Sequence, residues 1–262
     1  MLGTSLTSAE RIHGGLRSEV YLIDTLKGDQ LVARAARRAA AQFQGERWAI
    51  DQALSQGLPM AAVRHIAHFE DPATGGPVSV CIQDRLEGIS LDRLAAGETD
   101  AKVVAAAVAE AGAAIARLHT IETVGFGPIN HEGFGADASY VDGVCARIAA
   151  TPPGREVARS LPFDPVIVDD AKQIVLTAMR LRSDVPPRLL HGDFKPAHVF
   201  IADGRVTGLI DLELCCSGDP LDDFAIWDYW FRGQVPTEQL WAGYGITSDE
   251  ERAAMDIRLR VG

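Results

Sequence analysis

"RLLHGDFKPAHVFIADGRVTGLIDLE", residues 188–213, decides how this chain is read. Residues 191–200 run into apolar sequence at both ends, and His191, Asp193, Lys195 and His198 fall within eight residues. The pattern predicts strand, loop, strand, turn, strand, with Asp203, Gly204 and Arg205 at the hairpin turn. A hairpin folded at Gly204 brings its two ends together. Asp193, His198 and Asp211 are therefore predicted to gather at one mouth. Two carboxylates and an imidazole in one place suit general-base work beside a divalent metal.

Upstream, "EVYLID" and "QLVARA" read as two strands joined by the turn "LKGD", preceded by the Gly-Gly turn of "HGGLRS". Residues 41–56 place Phe43, Trp48, Ile50 and Leu54 at loose helical spacing, and Gly57 and Pro59 end the run. "VRHIAHFED" and "VSVCIQDRLEG" add two more strands around a Pro/Gly turn at 72–77. From Ser90 the character changes. A short helix capped by Ser90 is predicted, then a strong helix over 100–119, loops over 121–165 with a short helix near 139–150, a helix over 165–183, and a mostly helical tail over 219–260. The layout is α+β, with a small β-rich lobe over 1–88 and a larger, mainly helical lobe over 89–262.

Composition narrows the function. The chain has 262 residues, with 25 Lys+Arg against 36 Asp+Glu, a formal net charge of −11. An acidic surface argues against broad nucleic-acid binding and suits a cationic ligand. "MLGTSLTSAERIHGG" has no apolar h-region, and the Ala-rich run 102–118 is broken by Glu110 and Arg117, so neither a signal peptide nor a membrane span is expected. Cys81, Cys145, Cys215 and Cys216 show no C-x-x-C spacing, which points to reduced thiols and a cytoplasmic protein, and a monomer is expected.

"HGDFKPAH" followed by "IDLE" resembles the protein-kinase pattern H-R-D-L-K-P-x-N followed by D-F-G. The resemblance is closer to the aminoglycoside phosphotransferase family, which shares the kinase-like bilobal fold and uses "HGD". "GGLRSEVYLID" resembles that family's nucleotide-positioning loop, "FQGERWAIDQALSQGLPM" its Glu-bearing helix, "CIQDRLEG" its hinge, and "GDPLDDFA" the segment after its metal Asp. These segments run in the family's order from about residue 11 to 231.

The resemblance implies roles. Asp193 would accept or orient the proton of the attacking hydroxyl, and Lys195 would reach the γ-phosphate. His191 would brace the loop, and Asp211 would hold Mg²⁺ on the phosphates of ATP or GTP. Gly14, Gly15 and Ser18 would cover those phosphates, and Gln83 and Arg85 belong to the hinge against the nucleotide. The family's phosphate-binding residue in the next strand is usually Lys. Here it is Arg34, which keeps the charge with a different shape, and Glu46 would pair with it. His198 stands where kinases place a metal-binding Asn, as in phosphotransferases similar to the macrolide-inactivating branch. An unperturbed imidazole titrates near pH ~6.5, so the Mg²⁺ requirement is expected to rise as pH falls through that region. Glu213, Asp222, Asp228 and Glu238 are the acidic candidates for the acceptor, and "IWDYWF" offers aromatic surface for the core or for a ring.

The reading is an O-phosphotransferase acting on a hydroxyl of a small cationic natural product, an antibiotic of aminoglycoside, macrolide or cationic-peptide type. A metabolic kinase for choline, homoserine, a methylated sugar or a fructosamine is the alternative on the same fold. A kinase-like binding module without turnover is the alternative of another class.

Overall fold

The computed structural model describes residues 4–12, 18–37, 41–72, 74–150, 164–179, 185–231, 233–235 and 237–253. Gly14 and Gly15 lie outside the described residues, as do the far ends of the expected 165–183 and 219–260 helices.

The first part is a five-stranded antiparallel sheet in the order β1-β2-β3-β5-β4. Its strands are β1 (Leu6–Ile12), β2 (Glu19–Thr25), β3 (Gln30–Ala36), β4 (Val63–Glu70) and β5 (Pro77–Asp84). The β2–β3 turn closes at Gly28, whose φ of 84° lies in the left-handed region that glycine enters without steric cost. β1 was not anticipated. Every residue of "LTSAERI" is exposed on this edge strand, so no alternation of buried and exposed side chains marks it. Helix α1 (Ala41–Ser55) packs against the sheet, with Phe43, Ala49, Ile50 and Ala53 in the core.

The second part holds α2 (Leu91–Ala96), α3 (Ala101–Leu118), α4 (Tyr140–Ala150), α5 (Pro165–Met179), α6 (Leu221–Phe231) and α7 (Thr237–Tyr244). Ser90 does sit at the N-cap of α2, but its side chain makes no capping hydrogen bond. Asp100 does cap α3, accepting from the Lys102 N–H at 2.7 Å. Between α3 and α4 the expected loops contain two short strands, β7 (Phe126–Ile129) and β8 (Gly135–Asp137).

The 188–213 stretch divides between two sheets. β9 (Arg188–Leu190) joins β12 (Cys216–Gly218), β7 and β8, whereas β10 (Val199–Ala202) and β11 (Arg205–Leu209) form the hairpin. Asp203 and Gly204 turn it with φ of 50° and 75°, the Asp-Gly combination that a two-residue turn favours. β10 also pairs with β6 (Ile89–Ser90), which ties residue 89 to the second part.

One hydrophobic core runs through both parts, joining Ile50 and Leu58 to Ile115, Phe194, Leu209 and Trp227. At its far side α3 and α7 approach so closely that a Cβ on Gly112 would lie 2.1 Å from the Leu240 carbonyl oxygen. Backbone cannot yield as a flexible side chain does. Gly112→Ala is therefore expected to cost about 1–3 kcal/mol of stability, read from urea unfolding. A midpoint equal to the wild type's would show that the two helices separate freely.

Candidate active site

The sequence "HGD" forces a tight turn after β9. Gly192 has φ of 80°, and a Cβ there would meet the Leu214 carbonyl oxygen at 2.0 Å. Two successive backbone N–H groups then point at one carboxylate. Asp223, on α6 and fully buried, accepts from the His191 N–H at 2.8 Å and the Gly192 N–H at 2.9 Å. It also accepts from His119 Nε2 at 3.0 Å, and His119 Nδ1 meets the Tyr244 hydroxyl at 3.1 Å. Burial alone would raise the Asp223 pKa, but the His119 hydrogen bond and the nearby imidazoles hold it below its ordinary value. Behind the loop, Phe194 stacks on Trp227 with centroids 5.0 Å apart. Trp227 of "IWDYWF" is thus core, while Tyr229 and Trp230 are exposed. Asp223, within "GDPLDDFA", and His119 have no role in the sequence pattern. The only local signal was a second Asp in an otherwise apolar helix turn.

The loop delivers Asp193 and His198, and the end of the hairpin delivers Asp211. One ligand atom from each lies within 4.8 Å of the others. His198 Nδ1 meets the Asp193 carbonyl oxygen at 3.0 Å. A carbonyl only accepts, so Nδ1 carries the hydrogen, and in a neutral ring Nε2 carries the lone pair. Nε2 faces Asp211 Oδ2 at 3.4 Å. A lone pair facing a carboxylate oxygen at that distance is repulsive unless a cation lies between them. This donor set fits a divalent cation, with carboxylate oxygens for a hard ion and one imidazole. Asp211 has φ of 64°, a left-handed conformation uncommon outside glycine and typical of functional sites.

Burial, then the neighbouring His191, push the His198 pKa down to about 4. His191 Nε2 donates to the Ile210 carbonyl at 3.0 Å and its Nδ1 accepts from the Asp193 N–H at 3.3 Å, a neutral tautomer whose pKa burial also lowers. The expected change in Mg²⁺ requirement near pH 6.5 therefore moves toward pH 4, because a buried imidazole resists charging. Stability carries the sign. Below its ordinary value of 6.5 the unfolded His198 binds a proton that the folded one refuses until about 4. In the metal-free protein, stability is then full above that window and falls as pH drops through it. Urea midpoints at several pH values check this, with His198→Asn expected to flatten the fall. A flat profile in the wild type would contradict it.

Lys195 Nζ donates to Asp193 Oδ2 at 2.7 Å. Arg34, buried on β3, reaches both parts of the molecule. One amino group donates to Glu46 Oε2 on α1 and the other to Asp211 Oδ1 at 2.9 Å. Burial alone would lower the Arg34 pKa, but Glu46 and Asp211 raise it above its ordinary value. The contact with Asp211 was not anticipated. Arg34 Nε and the Ser18 hydroxyl are buried with no hydrogen-bond partner among the described residues. Gln83 is buried on β5 and donates to the Ala61 carbonyl at 3.4 Å, and Arg85 is exposed.

The four acidic candidates stand on three elements. Glu213 is half-buried in the turn after Asp211, and Glu238 is exposed on the first turn of α7. Asp222 and Asp228 lie on α6 roughly 120° apart around the helix axis, from about 100° per residue. The Asp222 carboxylate accepts from the Tyr140 hydroxyl at 2.9 Å.

The model of the phosphotransferase enzyme family matches residues 8–256. The chain belongs to that family. Its fold is the family's kinase-like α+β fold. A hygromycin-B 4-O-kinase of Escherichia coli is 27% identical over 228 residues, 86% of this chain and 63% of that protein. A homoserine kinase of Gluconacetobacter diazotrophicus is 35% identical over 118 residues, 45% of this chain and 34% of that protein. The chain thus spans less than two thirds of the length of either of these relatives. The crystal structure of a thermostable N202A mutant of aminoglycoside phosphotransferase APH(4)-Ia, in ternary complex with AMP-PNP and hygromycin B, superposes with a TM-score of 0.71 at 26% identity, covering 98% of this chain and 85% of that one. Among the described residues of this phosphotransferase-family chain, no helix is long and apolar enough to cross a membrane.

Proposed function

We propose that the protein is an ATP-dependent O-phosphotransferase for a hydroxyl of a small cationic antibiotic, of the aminocyclitol kind that its hygromycin-kinase relative is named for. The observation that carries this is the meeting of Asp193, His198 and Asp211 at one mouth, with Arg34 reaching the same carboxylate from the sheet. Residues 1–88 form the nucleotide lobe and 89–262 the catalytic and acceptor lobe, a boundary supported by β6 pairing with β10. GTP is the alternative phosphoryl donor.

The acceptor oxygen attacks the γ-phosphorus, the bond to the β–γ bridging oxygen breaks, and ADP leaves. Asp193 orients the hydroxyl and takes its proton. Its Oδ2 is held by Lys195, which leaves Oδ1 toward the acceptor. Arg34 and the Ser18 hydroxyl supply buried donors for phosphate oxygens. Asp211 and His198 Nε2 would hold Mg²⁺, which when bound neutralises phosphate charge. Arg34 must then share Asp211 or release it.

Purified protein with ATP, Mg²⁺ and hygromycin B should yield ADP and a product carrying one added phosphoryl group. Turnover of homoserine or choline with none of an antibiotic panel would replace this reading with the metabolic one, which the homoserine-kinase match favours. Absence of both turnover and nucleotide binding would leave a binding module. Asp211→Ala is expected to lose Mg²⁺-dependent nucleotide binding by calorimetry, and unchanged binding would remove Asp211 from the metal site.

A further inference from the structure

Helix α1 carries Glu46, and beside that residue the β7–β8 hairpin meets the helix at its backbone. Gly45 is buried and has no room for a side chain, because a Cβ there would overlap the Ile129 carbonyl oxygen at the end of β7. About one turn further along, the Trp48 indole lies against Gly133 of the hairpin turn, where a Cβ would run into the ring. The turn is internally braced. Asn130 Oδ1 accepts from the Glu132 N–H at 2.9 Å and the Phe134 N–H at 3.0 Å, and the Gly133 N–H donates to the Asn130 carbonyl at 3.1 Å. Gly133 has φ of 85°, so glycine serves both the turn and the close approach.

This hairpin extends the sheet that carries the acidic cluster. β7 pairs with β12, which follows the turn after Asp211, and β12 pairs with β9, which runs into the His191–Asp193 turn. Asp193 and Asp211 are thus tied to one sheet and Glu46 to α1, with Arg34 spanning from Glu46 to Asp211. Burial of Phe43, Ile50 and Ala53 holds α1 in the core, but apolar burial has no direction and does not by itself fix how the helix slides or turns. A backbone contact does. At about 100° per residue, Gly45 and Trp48 stand about 60° apart on one side of α1, while Glu46 is turned about 100° from the first and about 160° from the second. The hairpin therefore bears on one side of the helix, and Arg34 holds the other. We propose that the β7–β8 hairpin is a strut that sets the position of α1, which makes Gly45, Trp48 and Gly133 positioning residues for the Glu46–Arg34–Asp211 line. The consequence for nucleotide binding rests on the function proposed above, whereas the strut itself does not.

The test uses the full chain labelled with ¹⁵N. The Arg34 Nε–H is buried, so it exchanges slowly with water and should give an NMR signal without nucleotide, assigned by its loss in Arg34→Lys. Gly45→Ala should shift that signal and weaken binding of AMP-PNP with Mg²⁺ by about tenfold in calorimetry, because small misplacements of positioning groups are costly. It should also lower the urea midpoint, although alanine in a helix interior ordinarily stabilises relative to glycine. Trp48→Leu keeps apolar bulk, removes the flat face and should act in the same direction without crowding, so it decides should Gly45→Ala fail to fold. Gly112→Ala is the control. It crowds backbone at the α3–α7 contact and should destabilise the protein while leaving the Arg34 signal and the AMP-PNP affinity as they are. An unmoved Arg34 signal in folded Gly45→Ala and Trp48→Leu overturns the proposal. So does an unchanged affinity where the wild type binds AMP-PNP, or an equal response in Gly112→Ala, which would reduce the contacts to general stability. A wild type that binds no AMP-PNP refutes the proposed function, and the Arg34 signal then decides the strut alone.

Discussion

Asp193→Asn is expected to lower kcat for phosphoryl transfer by about 10²–10⁴, the range that a positioned general base contributes. Asn keeps the size and shape of the side chain. The loop that carries it is held from elsewhere, by Gly192 on Asp223, by His191 on Ile210 and by Phe194 on Trp227. The fold and the affinity for ATP should therefore remain. Lys195 loses its partner, but both side chains are 28% exposed, so the pair contributes little to stability. The measurement is steady-state ADP release with the acceptor that the panel identifies, alongside a melting curve. Turnover near the wild-type value would remove Asp193 from the reaction, and the proposed chemistry would have to be carried by another group.

Asp223→Ala is expected to cost about 3–5 kcal/mol of stability, the range for stripping the partner from buried hydrogen-bonded groups. The loss would strand the buried His191 N–H and His119 ring and take the partner from the half-buried Gly192 N–H. Asp223→Asn should lose less but not recover. The His191 N–H and His119 Nε2 share Oδ2, whereas the Gly192 N–H uses Oδ1, so an amide must turn its NH₂ toward one set of donors. The sign with pH follows from the lowered pKa of Asp223. Its contribution is present above the ordinary carboxylate value and is lost as pH falls through the lower folded one. Urea unfolding of the three proteins at neutral pH reads the effect. An alanine variant within about 1 kcal/mol of the wild type would show that the loop does not depend on this carboxylate.

The loop that carries Asp193, the hairpin and the metal-type cluster were legible because they are local. Asp-Gly at 203–204 sets a turn, the turn sets the register of β10 and β11, and the register brings residues 193, 198 and 211 to one end. Order along the chain carried the rest of the fold, since a β-rich run followed by helices leaves few architectures. β1 was illegible because an exposed edge strand needs no apolar alternation. The short strands β7 and β8 pair over only a few residues, and glycine and proline make up half of β7.

By itself, the sequence determined which residue types stand at each end of the hairpin, and hence that an acid, an imidazole and a second acid would meet there. Only the tertiary structure decided what those groups are to one another. The tautomer of His198 follows from the carbonyl against its Nδ1 and its low pKa from burial, neither of which belongs to the residue alone. Arg34 meets Asp211 across 177 positions of chain, and His119 meets Asp223 across 104. Contacts at such separations leave no periodicity in the sequence, because they are set by how whole elements pack. Where the acidic candidates point is decided in the same way. A helix sends Asp222 and Asp228 to different sides, and what each side faces is settled only when α6 lies against its neighbours.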